Sequence, residues 1–203
     1  MGSKKITLVL ATTNEGKARE IRTALRGLPV RVITLAGAGI KTRFMEKGTT
    51  FKENALGKSR FYSLKTCFLT LAEDSGLGIE ALGGAPGVIS ARYSGRGATD
   101  AKNIRKVLGM MKDIPAEKRR ARFACSMVLS REGQTLKAVT GQVQGTIAFG
   151  NEGQRGFGYD PIFYYRPMRR TFGQLEPREK NAVSHRGRAL EKMKAFLLEF
   201  LDK

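Results

Sequence analysis

Glu73 and Asp74 are adjacent carboxylates at the end of an apolar run, residues 67–72, and Ser75 and Gly76 follow at once. The run has the length of a buried strand and is bounded by polar residues. A carboxylate pair where a buried strand meets a turn is costly unless something cationic compensates it. A hard divalent ion would do so, because Mg2+ takes one or two carboxylates and fills its other sites with water and phosphate oxygens. Read alone, the same stretch is equally a hairpin with a solvated acidic tip, since DSG is a common turn sequence. Gly83, Gly84 and Gly87, around Pro86, are turn formers that allow close backbone approach.

Three further clusters could act on the same chemistry. TTNEGK, residues 12–17, lies between an apolar run and a helical stripe. Strand, polar turn and helix is an arrangement that binds phosphate, with amide donors and a positive dipole end at the helix start. Lys17 adds a formal charge there, and Thr12, Thr13 and Asn14 offer side-chain hydrogen bonds. It is not a Walker A sequence; its plainer reading is a helix capped by Asn14. In GFGYDPIF, residues 156–163, Phe157 and Tyr159 bracket Gly158, so an aromatic face could stack on a base, or simply pack on the core. Asp160, before Pro161, starts a turn and could lend polar support. His185, the single histidine, stands between Ser184 and Arg186 at a helix start, with Lys180 nearby. Such a set of donors suits a phosphate or a carbonyl on a base, or it merely caps a helix.

The elements that must position these groups alternate strand and helix. Residues 6–11 and 30–35 read as strands, with a helical stripe at Ala18, Ile21, Leu25 and Leu28 between them. Residues 51–64 predict a helix on which Asn54 and Lys58, four apart, share a face; Lys58 is a candidate phosphate contact. Thr99 caps a third helix with apolar positions at Ile104, Val107, Leu108 and Met111. Residues 117–122 are strongly basic and read as a solvated loop or edge. Residues 121–130 and 136–149, joined around REGQ, predict a hairpin, with Gly141 and Gly145 suggesting a bulge or bend. Ser184 is placed to cap a last helix with its stripe at Ala189, Leu190, Met193, Phe196, Leu197, Phe200 and Leu201.

A chain of 203 residues with 41% hydrophobic and 27% charged content suits one sizeable domain or two lobes sharing a core. Its net charge of +19 attracts polyanions, nucleoside triphosphates as much as RNA, DNA or anionic membrane. Cys67 and Cys125 both lie in apolar strand-like runs. They read as buried thiols of a reducing, cytoplasmic setting and form neither a zinc pattern nor a disulfide framework. No stretch is long enough to cross a bilayer, and the apolar run after Lys5 is too short for a signal peptide.

Taken in order, ATTNEGK, EKGTTFKENALGKS, LAEDSGLGIEALGGAPGVISARYSG, GATDAKN, GFGYDPIF and EKNAVSHRGRAL together resemble the inosine/xanthosine triphosphate pyrophosphatase family, from Ile6 to about Leu201. The resemblance implies an α/β fold: a long mixed twisted sheet flanked by helices, forming one domain of two lobes with an active-site cleft between them. It also implies a homodimer, and Mg2+-dependent hydrolysis of a purine nucleoside triphosphate such as ITP, dITP or XTP to the monophosphate and pyrophosphate. By position, Thr12, Thr13, Asn14, Glu15, Gly16 and Lys17 resemble the family's triphosphate cradle, with Lys58 as a second phosphate contact. Glu46 matches a glutamate implicated in metal binding, and Asp74 matches the aspartate assigned as metal ligand and general base. Ser75 matches a substrate contact. Phe157, Gly158, Tyr159 and Asp160 match the base-binding turn, and Lys180, His185 and Arg186 match the residues that recognise the purine. Glu73 stands where bacterial members usually carry Asp, which leaves open whether Glu46, Glu73 or Asp74 meets the metal directly. The large positive charge is a second departure. It keeps alive a nucleic-acid-binding alternative, supported by Lys118, Arg119, Arg120 and Arg122 and by Arg166, Arg169 and Arg170. A Maf-like nucleotide pyrophosphatase with another base preference is the enzyme alternative, against which GFGYDPIF and SHR weigh.

Overall fold

An unbroken run of buried residues, Leu8 to Ala11, builds a strand that becomes the middle of a parallel trio. The computed structural model describes residues 5–202. Strand β1 (Ile6–Ala11) pairs in parallel with β2 (Val30–Thr34) and with β3 (Leu69–Ile79), so that Leu8 lies opposite both Val32 and Leu69. The long strands β4 (Arg120–Arg131) and β5 (Gln134–Ile147) follow, then the short β6 (Phe163–Tyr165) and β7 (Arg170–Thr171). The seven form an open sheet in the order β2-β1-β3-β4-β5-β6-β7, mixed because β5, β6 and β7 pair antiparallel. The helices are α1 (Glu15–Ala24), α2 (Phe51–Ser63), α3 (Asp100–Met110), α4 (Pro177–Val183) and α5 (His185–Leu201). This is the α/β class expected.

Two compact units divide the chain. Within the described residues, the first runs to Asp74 and adds Cys125–Thr140 and the chain from Gly187. The second comprises Ser75–Ala124 and Gly141–Arg186. Strand pleating assigns the first unit's two faces. Leu69 and Leu71 pack with Ala18 and Ile21 of α1 and Leu190 and Met193 of α5. Ala72 packs with Val9, Ala11 and Tyr62 of α2. The second unit has its own core of Leu77, Ile79, Ile104, Val107, Phe123, Phe163 and Phe172.

Four expectations need correction. Strand β3 does not stop at Ala72: it runs through Glu73, Asp74 and Ser75 to Ile79. Leu77 and Ile79 are buried in the second core, and that apolar alternation carries the strand past the carboxylates. The first glycine turn comes later, where Gly83, at φ 62°, closes a 3-10 turn over Glu80–Leu82. Cys67 precedes β3 and is exposed, whereas Cys125 is buried. Strand β5 runs unbroken through Gly141 and Gly145. Gly145 answers a close approach rather than a bulge, since a Cβ there would lie 2.6 Å from both the Phe163 ring and the Tyr164 carbonyl oxygen. The hairpin itself is as expected: Glu132 and Gly133 both have positive φ, the signature of a tight two-residue turn.

The fourth correction concerns the basic segment before β4. Arg119 is not solvated but buried, and its guanidinium donates to four carbonyls, of Met111, Ile114, Ile147 and Ala148. A planar fork of five donors serves four acceptors where a single ammonium cannot. Arg119→Lys is therefore expected to cost about 2 kcal/mol through carbonyls left unserved. For a chain of this length that is a fall of roughly 4–8 °C in melting temperature. An unchanged thermal melt would mean that those carbonyls are satisfied without the fork.

Candidate functional site

In the first unit, the turn after β1 is built by its own polar side chains. Asn14 caps α1, its Oδ1 accepting from the Lys17 amide at 2.9 Å, and Thr12 Oγ1 accepts from the Asn14 amide at 3.2 Å. Glu15, Gly16 and Lys17 thus form the first helical turn, where amides have no intrahelical acceptor and the dipole favours anions. Thr13, Asn14 and Glu15 are exposed, Gly16 and Lys17 half-buried.

Successive residues of a strand face opposite sides of the sheet, and this separates the two carboxylates. Glu73 continues the face of Leu69 and Leu71, under α1. Its Oε1 pairs with Lys17 Nζ at 2.6 Å, and its Oε2 accepts from the Cys125 thiol at 3.1 Å. The cation that a buried carboxylate demands is therefore Lys17. Asp74 continues the face of Ala72, toward α2, where Asn54 Nδ2 donates to its Oδ2 at 3.0 Å. Asn54 also accepts from the Gly48 amide at 2.8 Å. A Cβ at Gly48 would stand 2.7 Å from that same oxygen, so the turn after Glu46 needs glycine there. Lys58, one turn along α2, pairs with Glu46 and donates to the Glu73 carbonyl at 3.2 Å. Burial pushes the Asp74 carboxyl above its ordinary value and Glu46 adds to the push, against the charges of Lys17 and Lys58 and the Asn54 bond.

Among the described residues, no three His, Cys, Asp or Glu side chains gather as a metal cage built from protein alone. A divalent ion that takes two carboxylates, with waters and phosphate oxygens completing its shell, suits Asp74 and Glu46. Their mutual repulsion and the buried charge on Asp74 are what a cation would relieve.

In the second unit, residues from β3, the 156–160 turn, α4 and α5 converge. Lys180 is buried and pairs with Asp160 Oδ2 at 2.5 Å, and the same oxygen accepts from the Phe157 amide at 2.9 Å. The half-buried Phe157 ring carries two cations, Lys180 Nζ at 4.6 Å and the Arg186 guanidinium at 5.4 Å from its centroid. Arg186 is 2% exposed and donates to Ser75 Oγ at 2.9 Å. His185 is buried and stacks on Phe123, with centroids 4.6 Å apart and planes 12° from parallel. Tyr159 does not join Phe157 in an aromatic face. It is buried, and its hydroxyl donates to the Ser90 carbonyl at 2.8 Å. That burial pushes its phenol above its ordinary value. Ser184 closes α4 and immediately precedes α5.

The structure thus brings Thr12–Lys17, Glu46, Lys58, Glu73 and Asp74 into one unit and Ser75, Phe157–Asp160, Lys180, His185 and Arg186 into the other. Sequence reasoning missed Asn54 as the partner of Asp74, although its spacing from Lys58 pointed at the right helix face. It also missed Cys125, which reaches Glu73 across the sheet, and Asp100, which accepts from the Gly158 amide at 2.7 Å.

The sequence model of the Ham1 family matches residues 8–196. The chain is 40% identical to the dITP/XTP pyrophosphatase of Thermoanaerobacter pseudethanolicus over 97% of its length and 98% of that protein. It is 44% identical to the dITP/XTP pyrophosphatase of Yersinia pseudotuberculosis over 92% and 95%. The solved structure of a HAM1 protein from Coxiella burnetii superposes with a TM-score of 0.87 at 42% identity, covering 96% of this chain and 99% of that one.

Proposed function

This chain belongs to the Ham1 family, and from that premise we propose that it is a nucleoside-triphosphate pyrophosphatase. It hydrolyses deaminated purine nucleotides, ITP, dITP and XTP, to the monophosphate and pyrophosphate, and so clears them from the nucleotide pool. The observation that carries the reading is the chemical division of the candidate residues. Lysines, a helix start and buried carboxylates suit a triphosphate with its metal, while an aromatic ring flanked by buried donors suits a base that bears carbonyls.

In this reading the Thr12–Lys17 turn and Lys58 hold the phosphates; Asp74 and Glu46 would hold Mg2+, which would supply neutralisation of the phosphate charge. Glu73 orients Lys17 by a direct ion pair on the α1 face of the sheet, the face opposite Asp74. Asp74 orients a water and accepts its proton as the oxygen attacks the α-phosphorus; pyrophosphate leaves, its charge met by Lys17 and Lys58. Phe157 stacks on the base, with Gly158, Tyr159 and Asp160 shaping its turn, and Lys180, His185, Arg186 and Ser75 read its polar edge. We place the enzyme in the cytoplasm as a homodimer, a state that sedimentation equilibrium reads directly. Among the described residues no helix is long and apolar enough to cross a membrane.

A nucleotide panel, assayed as phosphate released by added inorganic pyrophosphatase, tests the reading. ITP, dITP and XTP should turn over with Mg2+ and stop with chelator, and ATP should turn over poorly. Added RNA should compete at low salt only, because the +19 charge gives non-specific polyanion binding driven by counterion release, a gain that shrinks as salt rises. No turnover on any nucleotide, with sequence-selective RNA or DNA binding that survives physiological salt, would replace the enzyme with a nucleic-acid-binding protein. Turnover confined to other bases would favour the Maf-like alternative.

A further inference from the structure

The GGAPGVISARYSG and GATDAKN segments are not accounted for by phosphate or base contacts, and their hydrogen bonds lead to the 156–160 turn. Thr99 caps α3, its Oγ1 accepting from the Lys102 amide at 3.2 Å, which sets Asp100 as the first helical residue. One turn on, the buried Asn103 ties α3 to the 3-10 segment Gly87–Arg92 and the chain just past it. Its Oδ1 accepts from the Ser94 amide at 2.8 Å, and its Nδ2 donates to the carbonyls of Ser90 and Ala91. The Ser90 carbonyl is also the acceptor for Tyr159. The turn is therefore held at three successive residues. Asp160 takes the Phe157 amide, Asp100 takes the Gly158 amide at 2.7 Å, and Ser90 takes the Tyr159 hydroxyl. Gly158 has φ 62°, a left-handed conformation that the Asp100 bond holds in place. Of the three holds, Asp160 is shared with Lys180, and Tyr159 belongs to the core. Asp100 alone is an exposed side chain from a separate helix.

We propose that Asp100 is a positioning residue for base binding: by holding the Gly158 amide it sets the Phe157 ring against Lys180 and Arg186, where a deaminated purine is read. It touches no substrate atom. Its effect is on ground-state binding of the base half and not on the phosphate half, which lies among residues of the other unit. The inference rests on the proposed function, and the following experiment separates their failures.

Inosine 5′-monophosphate and inorganic pyrophosphate are titrated calorimetrically into wild type, Asp100→Ala and Asp100→Asn. In Asp100→Ala the dissociation constant for the monophosphate should rise about tenfold, the scale of one lost hydrogen bond to a charged acceptor. Pyrophosphate binding should not move. KM for ITP should rise by a similar factor at nearly constant kcat. Asp100→Asn keeps an acceptor oxygen for the Gly158 amide while losing the charge near the α3 dipole. It should recover most of the monophosphate affinity, which separates the hydrogen bond from helix-end electrostatics. Both ligands weakening together, neither changing, or Asn behaving as Ala would each overturn the assignment. Wild type that binds no inosine monophosphate and hydrolyses no ITP would instead overturn the proposed function.

Discussion

Asp74→Asn is expected to lower kcat by about 10²–10⁴-fold, the usual worth of a positioned general base, and at the same time to stabilise the metal-free protein near neutral pH. The two effects have one origin. Burial raises the Asp74 carboxyl above its ordinary value, so the folded state holds the proton more tightly than the unfolded state does. Stability linked to this group is then fully present below the unfolded value and is lost as pH rises through the folded one. At neutral pH the wild type carries that loss, because Asp74 is ionised in a site that disfavours the charge. Asparagine does not carry it, and its side-chain oxygen still accepts from Asn54. The melting temperature of the variant should exceed that of wild type at pH 7, and the gap should close in acid. Mg2+ should reverse the order, because it binds the ionised carboxylate and only wild type gains from that linkage. Turnover close to wild type in Asp74→Asn would remove Asp74 as the base. A melting temperature below wild type at every pH would remove the buried charge as the cause.

The sheet and its helices were legible because their signals are local. The apolar run before TTNEGK, the Asn14 and Thr99 caps and the stripe on α5 each depend on neighbours within a turn or a pleat. What was not legible depends on partners far along the chain. Nothing near residues 67–74 says that Leu77 and Ile79 will be buried, so the apolar run alone ends the strand at Ala72, seven residues short of Ile79. Arg119 sits in a basic run that looks solvated, and only the approach of Met111, Ile114, Ile147 and Ala148 makes it a buried hub. The site divides in the same way. Lys17, Lys58 and Asp74 could be named from residue type and motif. That Glu73 and Asp74 face opposite sides of one sheet follows only once both are known to lie within a continuous strand. Tyr159 and Phe157 look equivalent around Gly158, yet a hydrogen bond to Ser90 takes one into the core and two cations meet the other.

Arg186→Ala should lower kcat/KM for ITP by about 10²-fold and for ATP by less than about tenfold, narrowing the ratio between them. Hypoxanthine and xanthine present a carbonyl acceptor at purine position six, where adenine presents an amino donor. The buried groups beside Phe157, Lys180 and Arg186, have no acceptor to offer, and the nearby buried His185 brings at least one ring N–H donor. A base with a carbonyl satisfies such a pocket, whereas an amino group leaves donors facing donors in a buried site, and hydrogen-bonding sites discriminate by roughly 10⁴ or more on that account. Of these groups Lys180 is neutralised by Asp160 and His185 is fixed against Phe123, so each is committed to holding the pocket as well as to any base. Arg186 has the larger fork. One arm reaches Ser75, and the guanidinium lies over Phe157, which places the strongest directional donor beside the stacking ring. Arg186→Lys keeps the charge but not the fork, and should fall between wild type and alanine for ITP while leaving ATP nearly unchanged. Guanine shares the carbonyl at position six, so the same donors should not reject GTP; its exclusion must act through the amino group at position two. If ITP and ATP lose equally in Arg186→Ala, the arginine serves the phosphates or the fold, and selectivity has to be carried by Lys180 and His185.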